Sequence, residues 1–390
     1  VVILAITFGL FGGVFSSAVM KGVSDQRVRE AVSRETAHLQ IHNPKYTEDN
    51  EIQYVIQDKV LQSDGILDSV FQIQAWSSRI KFQAMAASAN ANAGVMVYGI
   101  DPLREKSVSD IYKTICDTCG GYFETERPYP IVIGSALAEK LKLKLHSKII
   151  ITFQDTEGTI SGGAFRICGI FKTNNSVFDE TNVFVGKTEI AYMLMMDPGH
   201  SHEIAIRLHE PEKTDLIKSE LASKFPGLLV RTWKEIDPLV GIMVDFMDLW
   251  LYLFMTIILL ALAFGIVNTM LMVILERTRE LGMLTAIGMN KNRVFLMIVL
   301  ESVYLSLTGG FGGMALGYFF SLYKGYTGID LSNYTRGFEK LGYSPVIFPA
   351  LDVTFFIVLT LMVMIIGIIS SLYPARKALR LNPADAIRTE

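Results

Sequence analysis

Four stretches of this chain carry no charge over lengths that few soluble elements need. They are Val1–Met20, Leu249–Leu275, Ser302–Tyr323 and Val353–Ala375. A helix of about 20 residues spans the hydrocarbon core of a bilayer. A backbone in lipid must also satisfy its own hydrogen bonds, so each run predicts a membrane helix. Composition agrees, with 50% hydrophobic residues, 19% charged residues and a mean hydropathy of +0.34. That is too apolar for a cytosolic enzyme and for a disordered chain. It is also too charged for a protein that is membrane throughout. A net charge of −3 gives no case for nucleic-acid binding, and three cysteines do not frame a small disulfide fold.

Basic residues in the short connections set the orientation. Arg277, Arg279, Lys291 and Arg293 follow the second apolar run, and Arg376, Lys377, Arg380 and Arg388 follow the fourth. Both segments are expected in the cytoplasm, which places Lys21–Asp248 outside. Val1 is not a methionine, so a short cytoplasmic start is expected upstream. Ser16 and Ala18 resemble a signal-peptide cleavage site, but the apolar stretch is long enough to remain as an anchor. The expected segments are a first membrane helix at 1–23 and an extracytoplasmic domain at 24–237. A stalk with the second membrane helix follows at 238–275, then a cytoplasmic helix at 276–293. A third membrane helix at 294–323, an outer loop at 324–351, a fourth helix at 352–375 and a cytoplasmic tail at 376–390 complete the chain.

The outer domain reads as mixed α and β. Val23–Ala37 predicts a charged helix leaving the membrane. Gly94–Ile100 alternates as a strand into a turn at Asp101-Pro102. Ile133–Leu141 predicts a short helix. Lys148–Phe153 and Ala164–Phe171 predict strands around a hairpin loop at Gln154–Gly163. Ile204, Ile206 and Leu208 alternate as another strand. Asp237-Pro238 predicts a helix cap, and a helix from there to Leu275 would be about 57 Å long. Only about 30 Å of it fits the hydrocarbon core, so the remainder is expected to project as a stalk.

Catalytic signatures are sparse. The chain has no G-x-x-x-x-G-K-[ST] phosphate loop, no H-E-x-x-H and no G-x-S-x-G. Cys116 and Cys119 form one C-x-x-C, open to an incidental, a disulfide or a redox reading. His200, His202 and His209 near Glu203 read as loop histidines rather than metal ligands. Glu301, the one acid in its apolar helix, is either functional or interfacial. No cofactor, metal or catalytic residue is expected.

The most informative stretch is Glu276-Arg277-Thr278-Arg279-Glu280-Leu281-Gly282-Met283-Leu284-Thr285-Ala286-Ile287-Gly288. It predicts a short amphipathic helix with Leu281, Leu284 and Ile287 at i, i+3 and i+6. Such a helix can dock a soluble partner. This segment resembles the coupling helix of the FtsX-like, MacB-type ABC transporter permeases. Tyr373–Ala378 (YPARKA) and Asn382–Arg388 (NPADAIR) extend the resemblance. IVIGSALAEKLKLKLHSKIIIT, FRICGIF and Arg231–Glu235 (RTWKE) resemble the family's outer core. Ala37–Ile41 (AHLQI) and Tyr98–Pro102 (YGIDP) look most like the lipoprotein-releasing branch, LolC and LolE.

The resemblance implies four transmembrane helices, a large extracytoplasmic MacB-core-like α/β domain on helical stalks, and a multi-pass inner-membrane location. It implies a non-catalytic permease partnered by two copies of a cytoplasmic ABC ATPase and by a second permease copy or paralogue. Its substrate would be a lipoprotein or another amphiphile drawn from the outer leaflet. The alternatives are a MacB-like efflux permease for drugs, peptides or toxins, and an FtsX-like regulator that transports nothing. LolC carries a long carrier-binding hook where Gln154–Ala164 is short here, so docking of a periplasmic carrier stays open. Glu276, Arg277, Arg279, Glu280, Leu281, Leu284 and Ile287 are the expected ATPase-coupling residues. Phe11, Val14 and Phe15 of the first helix, with Leu253, Ile257 and Leu260 of the second, are the expected lining of the substrate cavity. Gly9 and Gly13, and Gly309, Gly313 and Gly317, are expected to permit close helix approach.

Overall fold

The computed structural model describes residues 2–59, 65–124, 127–332, 337 and 342–379. The NPADAIR motif, Arg380 and Arg388 lie outside the described residues. The chain divides into two compact units. One comprises Val1–Asp25, Asp245–Asp330 and Val346–Glu390, and the other Gln26–Val244 with Leu331–Pro345.

Among the described residues, four helices are long and apolar enough to cross a membrane. They are α1 (Val2–Glu30), α2 (Pro238–Glu276), α4 (Lys291–Thr327) and α5 (Val353–Ala378), with the short α3 (Thr278–Ala286) between α2 and α4. Side chains set the helix starts. The Asp237 carboxylate accepts from the Val240 amide at 3.2 Å, Asn290 from that of Asn292 at 3.1 Å, and Asp352 from that of Thr354 at 3.0 Å. Gly288, at φ +100°, follows α3 in a conformation that glycine adopts without strain. The charged continuation of α1 is helical to Glu30 and then widens into a π turn over Ala31–Thr36.

Glycines on α4 let α1 and α5 pack against it. A Cβ on Gly313 would fall 2.6 Å from the Thr7 carbonyl oxygen, and one on Gly317 would fall 2.7 Å from Val14. A Cβ at Gly310 would meet Val363 of α5 at 3.2 Å and Leu10 of α1 at 3.7 Å. Gly9 and Gly13 instead face Leu262 and Met255 of α2. Leu10, Val14, Met255, Leu259, Ile298, Leu359 and Val363 form the interior of this unit.

The second unit is built on a ten-stranded sheet. Its strands are β1 (Leu39–His42), β2 (Ile73–Ala87), β3 (Asn92–Ile100), β4 (Ile115–Gly120), β5 (Pro130–Gly134), β6 (Lys148–Gln154), β7 (Ile160–Phe171), β8 (Asn182–Gly186), β9 (Glu203–Leu208) and β10 (Leu229–Thr232). The order is β10-β1-β9-β2-β3-β8-β5-β7-β4, with β6 pairing β2 and β7. The fifteen-residue β2 spans two cores. Ile73–Arg79 pairs β9 beside a cluster of Leu39, Ile204, Ile206 and Leu221, whereas Ile80–Ala87 pairs β3 beside Phe82, Val97, Ile133 and Phe165.

Several local expectations change here. Asp101-Pro102 is the capped start of a helix, Pro102–Val108, because the Asp101 carboxylate takes the Leu103 and Arg104 amides. Ile133 and Gly134 end β5, and the helix begins only at Ser135. The hairpin loop shrinks to 155–159, since Asp155 accepts from the amides of Glu157 and Thr159 and closes the turn early. Residues 203–206 are buried on both faces, so no alternation survives there. Cys116 and Cys119 are joined as a disulfide within β4, and Cys168 is free and buried.

Candidate functional site: a coupling helix and an outer cavity

α3 begins one residue after α2 ends, so Glu276 closes α2 and Arg277 forms the corner. The Arg277 guanidinium donates to Glu280 at 2.9 Å and to Glu301 at 3.2 Å, tying the start of α3 to α4. Glu301 is therefore at the α3 end of the bundle, paired, rather than alone in its middle. The face of α3 differs from the expected Leu281, Leu284 and Ile287 stripe. Leu281 packs onto the bundle interior beside buried Gly282, and Leu284 is half-buried. Ile287 is 81% exposed, and Glu276, Arg279, Glu280, Met283 and Ala286 are exposed with it. Met283 was not among the expected residues; its spacing of four from Arg279 was the available signal.

At the other end of these helices, α1, α2 and α5 enclose a cavity of about 130 Å³. Ser17, Ala18 and Lys21 come from α1, Leu251 and Tyr252 from α2, Ala350, Leu351 and Asp352 from the segment before α5, and Phe355 from α5. The segment before α5 closes it. The Ala350 amide donates to the Ala18 carbonyl at 2.9 Å, and a Cβ on Gly22 would run into the Phe348 carbonyl. The lining is mixed: Ala18, Leu251, Leu351 and Phe355 are apolar, while Ser17, Lys21, Tyr252 and Asp352 bring polar groups. The Asp352 carboxylate caps α5, and Lys21 pairs with Asp25 at 3.2 Å. Ser17 is buried, and its hydroxyl has no hydrogen-bond partner among the described residues. A buried unpaired hydroxyl costs on the order of 1–3 kcal/mol.

The expected cavity residues separate around this pocket. Val14 is buried in the bundle against Gly317. The Phe11 and Phe15 rings meet Phe320 of α4 at 5.7 and 4.9 Å. Leu253, Ile257 and Leu260 are exposed along α2. α5, left out of the expected wall, contributes Phe355, and Leu351 just before it joins the lining.

Where the two cores of the other unit meet, β2 and β9 bury a charge network. Arg79 donates to Glu105 at 2.6 Å and to Glu203 at 2.7 Å, with Lys81 3.5 Å from Glu203. Burial alone would raise the Glu203 carboxyl, but Lys81 and Arg79 outweigh it and hold it at about 2. His202 is no loop histidine. It is fully buried, donates through Nε2 to the Ile52 carbonyl at 2.8 Å and accepts the Lys81 amide at Nδ1. No cluster fit to hold a metal occurs among the described residues.

Two family models match the chain: the MacB-like periplasmic core domain over residues 1–224 and the FtsX-like permease C-terminal domain over residues 252–383. An uncharacterized ABC transporter permease of Methanocaldococcus jannaschii is 25% identical over 281 residues, 70% of this chain and 65% of that one. The lipoprotein-releasing system transmembrane protein LolC of Neisseria meningitidis is 22% identical over 82% of this chain and 79% of its own. The macrolide export ATP-binding/permease protein MacB of Chlorobium luteolum is 36% identical over 126 residues, which are 32% of this chain and 16% of that protein. The core-domain match covers more than half of the sequence and the permease match most of the remainder. The chain thus belongs to the MacB- and FtsX-like family of ABC transporter permeases, multi-pass inner-membrane proteins with a periplasmic α/β domain.

Proposed function

We propose that this permease draws a lipid-anchored substrate, in the first place a lipoprotein, from the outer leaflet of the inner membrane. The ATP would be hydrolysed by two copies of a separate cytoplasmic ATPase, with a second permease copy or paralogue completing a dimer. The observation that carries the reading is the outer cavity. Its Leu251, Leu351 and Phe355 side chains suit acyl carbons, while Tyr252 and Lys21 place polar groups beside them that suit an ester or amide end. The volume admits the carbonyl end of one chain rather than a whole lipid. The rest of the chain would run along the exposed Leu253, Ile257 and Leu260 of α2. ATPase closure would push the exposed face of α3. Because Arg277 ties that helix to α4, the bundle would shift and the cavity would close.

A photocrosslinker at Tyr252 should capture lipoprotein in the assembled transporter, and one at Phe319, on the exposed face of α4, should not. Capture only at Phe319 would remove the assignment. A second reading, efflux of drugs, peptides or toxins, is favoured by the higher identity to MacB across its shorter match. Stimulation of partner ATPase by purified lipoprotein supports the first reading, and stimulation only by a soluble drug or toxin supports the second.

A further inference from the structure

A wide opening in the periplasmic unit lies at one end of its sheet and has no part in the coupling or cavity just described. β3 and β8 run parallel, with Met96 opposite Asn182 and Ile100 opposite Gly186. Each leads directly into a helix, at Pro102 and Lys187. Antiparallel β2 brings Ser78 to the same end, because Ile80 lies opposite Gly99. β5 starts there too, since Ile131 lies opposite Val185. In α/β sheets the crevice beyond the carboxyl ends of parallel strands is the usual place for a ligand. Here it is a cleft of about 710 Å³, within the range of about 300–1,000 Å³ that binding pockets occupy.

The floor is built and rigid. Lys187 is buried and donates to Asp58 at 2.5 Å and to the Ser78 hydroxyl at 2.8 Å, and Asp58 also accepts from Ser201 at 2.6 Å. The rim carries both signs of charge. Arg104 lies over the Trp76 ring at 4.7 Å, and Glu189 is exposed. Opposite walls present Pro102, Pro128, Pro130 and Pro198. Two aromatic residues of the wall, Phe123 at φ +61° and Tyr129 at φ +53°, hold a backbone conformation that bulky side chains avoid. Strain of this kind, about 1–3 kcal/mol, concentrates where side chains are held for a ligand. Mixed charge disfavours a polyanion. Flat prolyl and aromatic walls beside polar groups of both signs match an extended polypeptide.

We propose that this cleft binds an extended segment of the substrate's own polypeptide, while the membrane cavity takes its acyl part. The inference rests on the lipid-anchored reading above, and its test separates the two. Full-length protein in detergent would be titrated with a fluorescein-labelled peptide of about ten residues carrying Asp, Lys and Phe among Ser and Gly. In parallel it would be titrated with a fluorescent diacylglyceryl-cysteine that has no peptide. Thr188 is exposed in the cleft, so Thr188→Trp fills it without touching the core. Peptide affinity should fall about tenfold or more in Thr188→Trp, with diacyl binding unchanged. Tyr129→Gly removes the ring and accepts the positive φ, so peptide binding should weaken although the fold is kept and Tm stays within a few degrees. Equal peptide affinity in wild type and Thr188→Trp, or no binding at millimolar peptide, overturns the cleft assignment. Loss of diacyl binding by the wild-type protein with peptide binding intact counts against the lipid reading alone.

Discussion

His42 and His202 flank the Tyr46 ring at centroid distances of 6.0 and 4.9 Å; both ring nitrogens of His202 are engaged, and neutral His42 can donate to either the His202 carbonyl or the Gln40 amide oxygen. Burial lowers both imidazoles to about 4, and His38, whose Nδ1 accepts the Leu208 amide, also to about 4. Unfolded, each takes a proton near its ordinary 6.5. Between pH 6.5 and 4 the unfolded chain therefore binds more protons, and stability falls as pH drops. The slope is about 1.4 kcal/mol per pH unit for each histidine. Asp179, raised by burial to about 6, opposes this by one proton. Thermal melts of the full chain should thus lose Tm from pH 7 to pH 5, less steeply in His202→Gln. A Tm independent of pH would mean that the imidazoles are hydrated in the native state. At the same junction, Arg79→Ala would leave Glu105 and Glu203 buried without their main partner, at a cost of about 3–5 kcal/mol. Denaturant unfolding of the periplasmic unit checks it, and a loss below about 1 kcal/mol would show that water reaches the pair.

Helix pairs impose their own tests. Gly313→Ala should part α1 from α4, because its Cβ meets the Thr7 carbonyl and backbone cannot yield as a side chain can. Gly12→Ala, with nothing within 4 Å, should be neutral. Similar melting temperatures for both variants in detergent would contradict the packing. In α3 the two faces should separate functionally. Met283→Asp, on the exposed face, is expected to lower ATPase association and ATP-driven transport strongly while the permease stays folded. Leu281→Ala should lower the stability of the bundle instead. Pull-down of the ATPase with each variant, alongside a melt, decides between this face and the full Leu281–Leu284–Ile287 stripe.

For the whole molecule the topology can be read by labelling. Cysteines at Lys291 and Lys377, in a background without native cysteine, should resist a membrane-impermeant thiol reagent in intact cells. One at Glu157 should react. Asp155, an obvious first choice in the hairpin, is buried with its carboxylate engaged in the turn and would label poorly for that reason. Labelling of Lys291→Cys from outside would reverse the arrangement.

Four membrane helices, the capped start of α2 and the amphipathic segment between α2 and α4 were all legible from the sequence. Lipid demands long uncharged runs, and caps are local chemistry, so neither depends on distant residues. The strand ends were less legible, because Asp101 and Asp155 close turns through amides that composition does not reveal. Which face of α3 turns outward was decided by the packing of Leu281 and Gly282 on the bundle. Which glycines touch which helix was decided in the same way, since a periodic pattern names a stripe but not its neighbour. The outer cavity and the periplasmic cleft exist only in three dimensions. Ser17, Tyr252 and Phe355 lie far apart along the chain, as do Ser78, Tyr129 and Thr188, and only packing and strand order bring each set to one place.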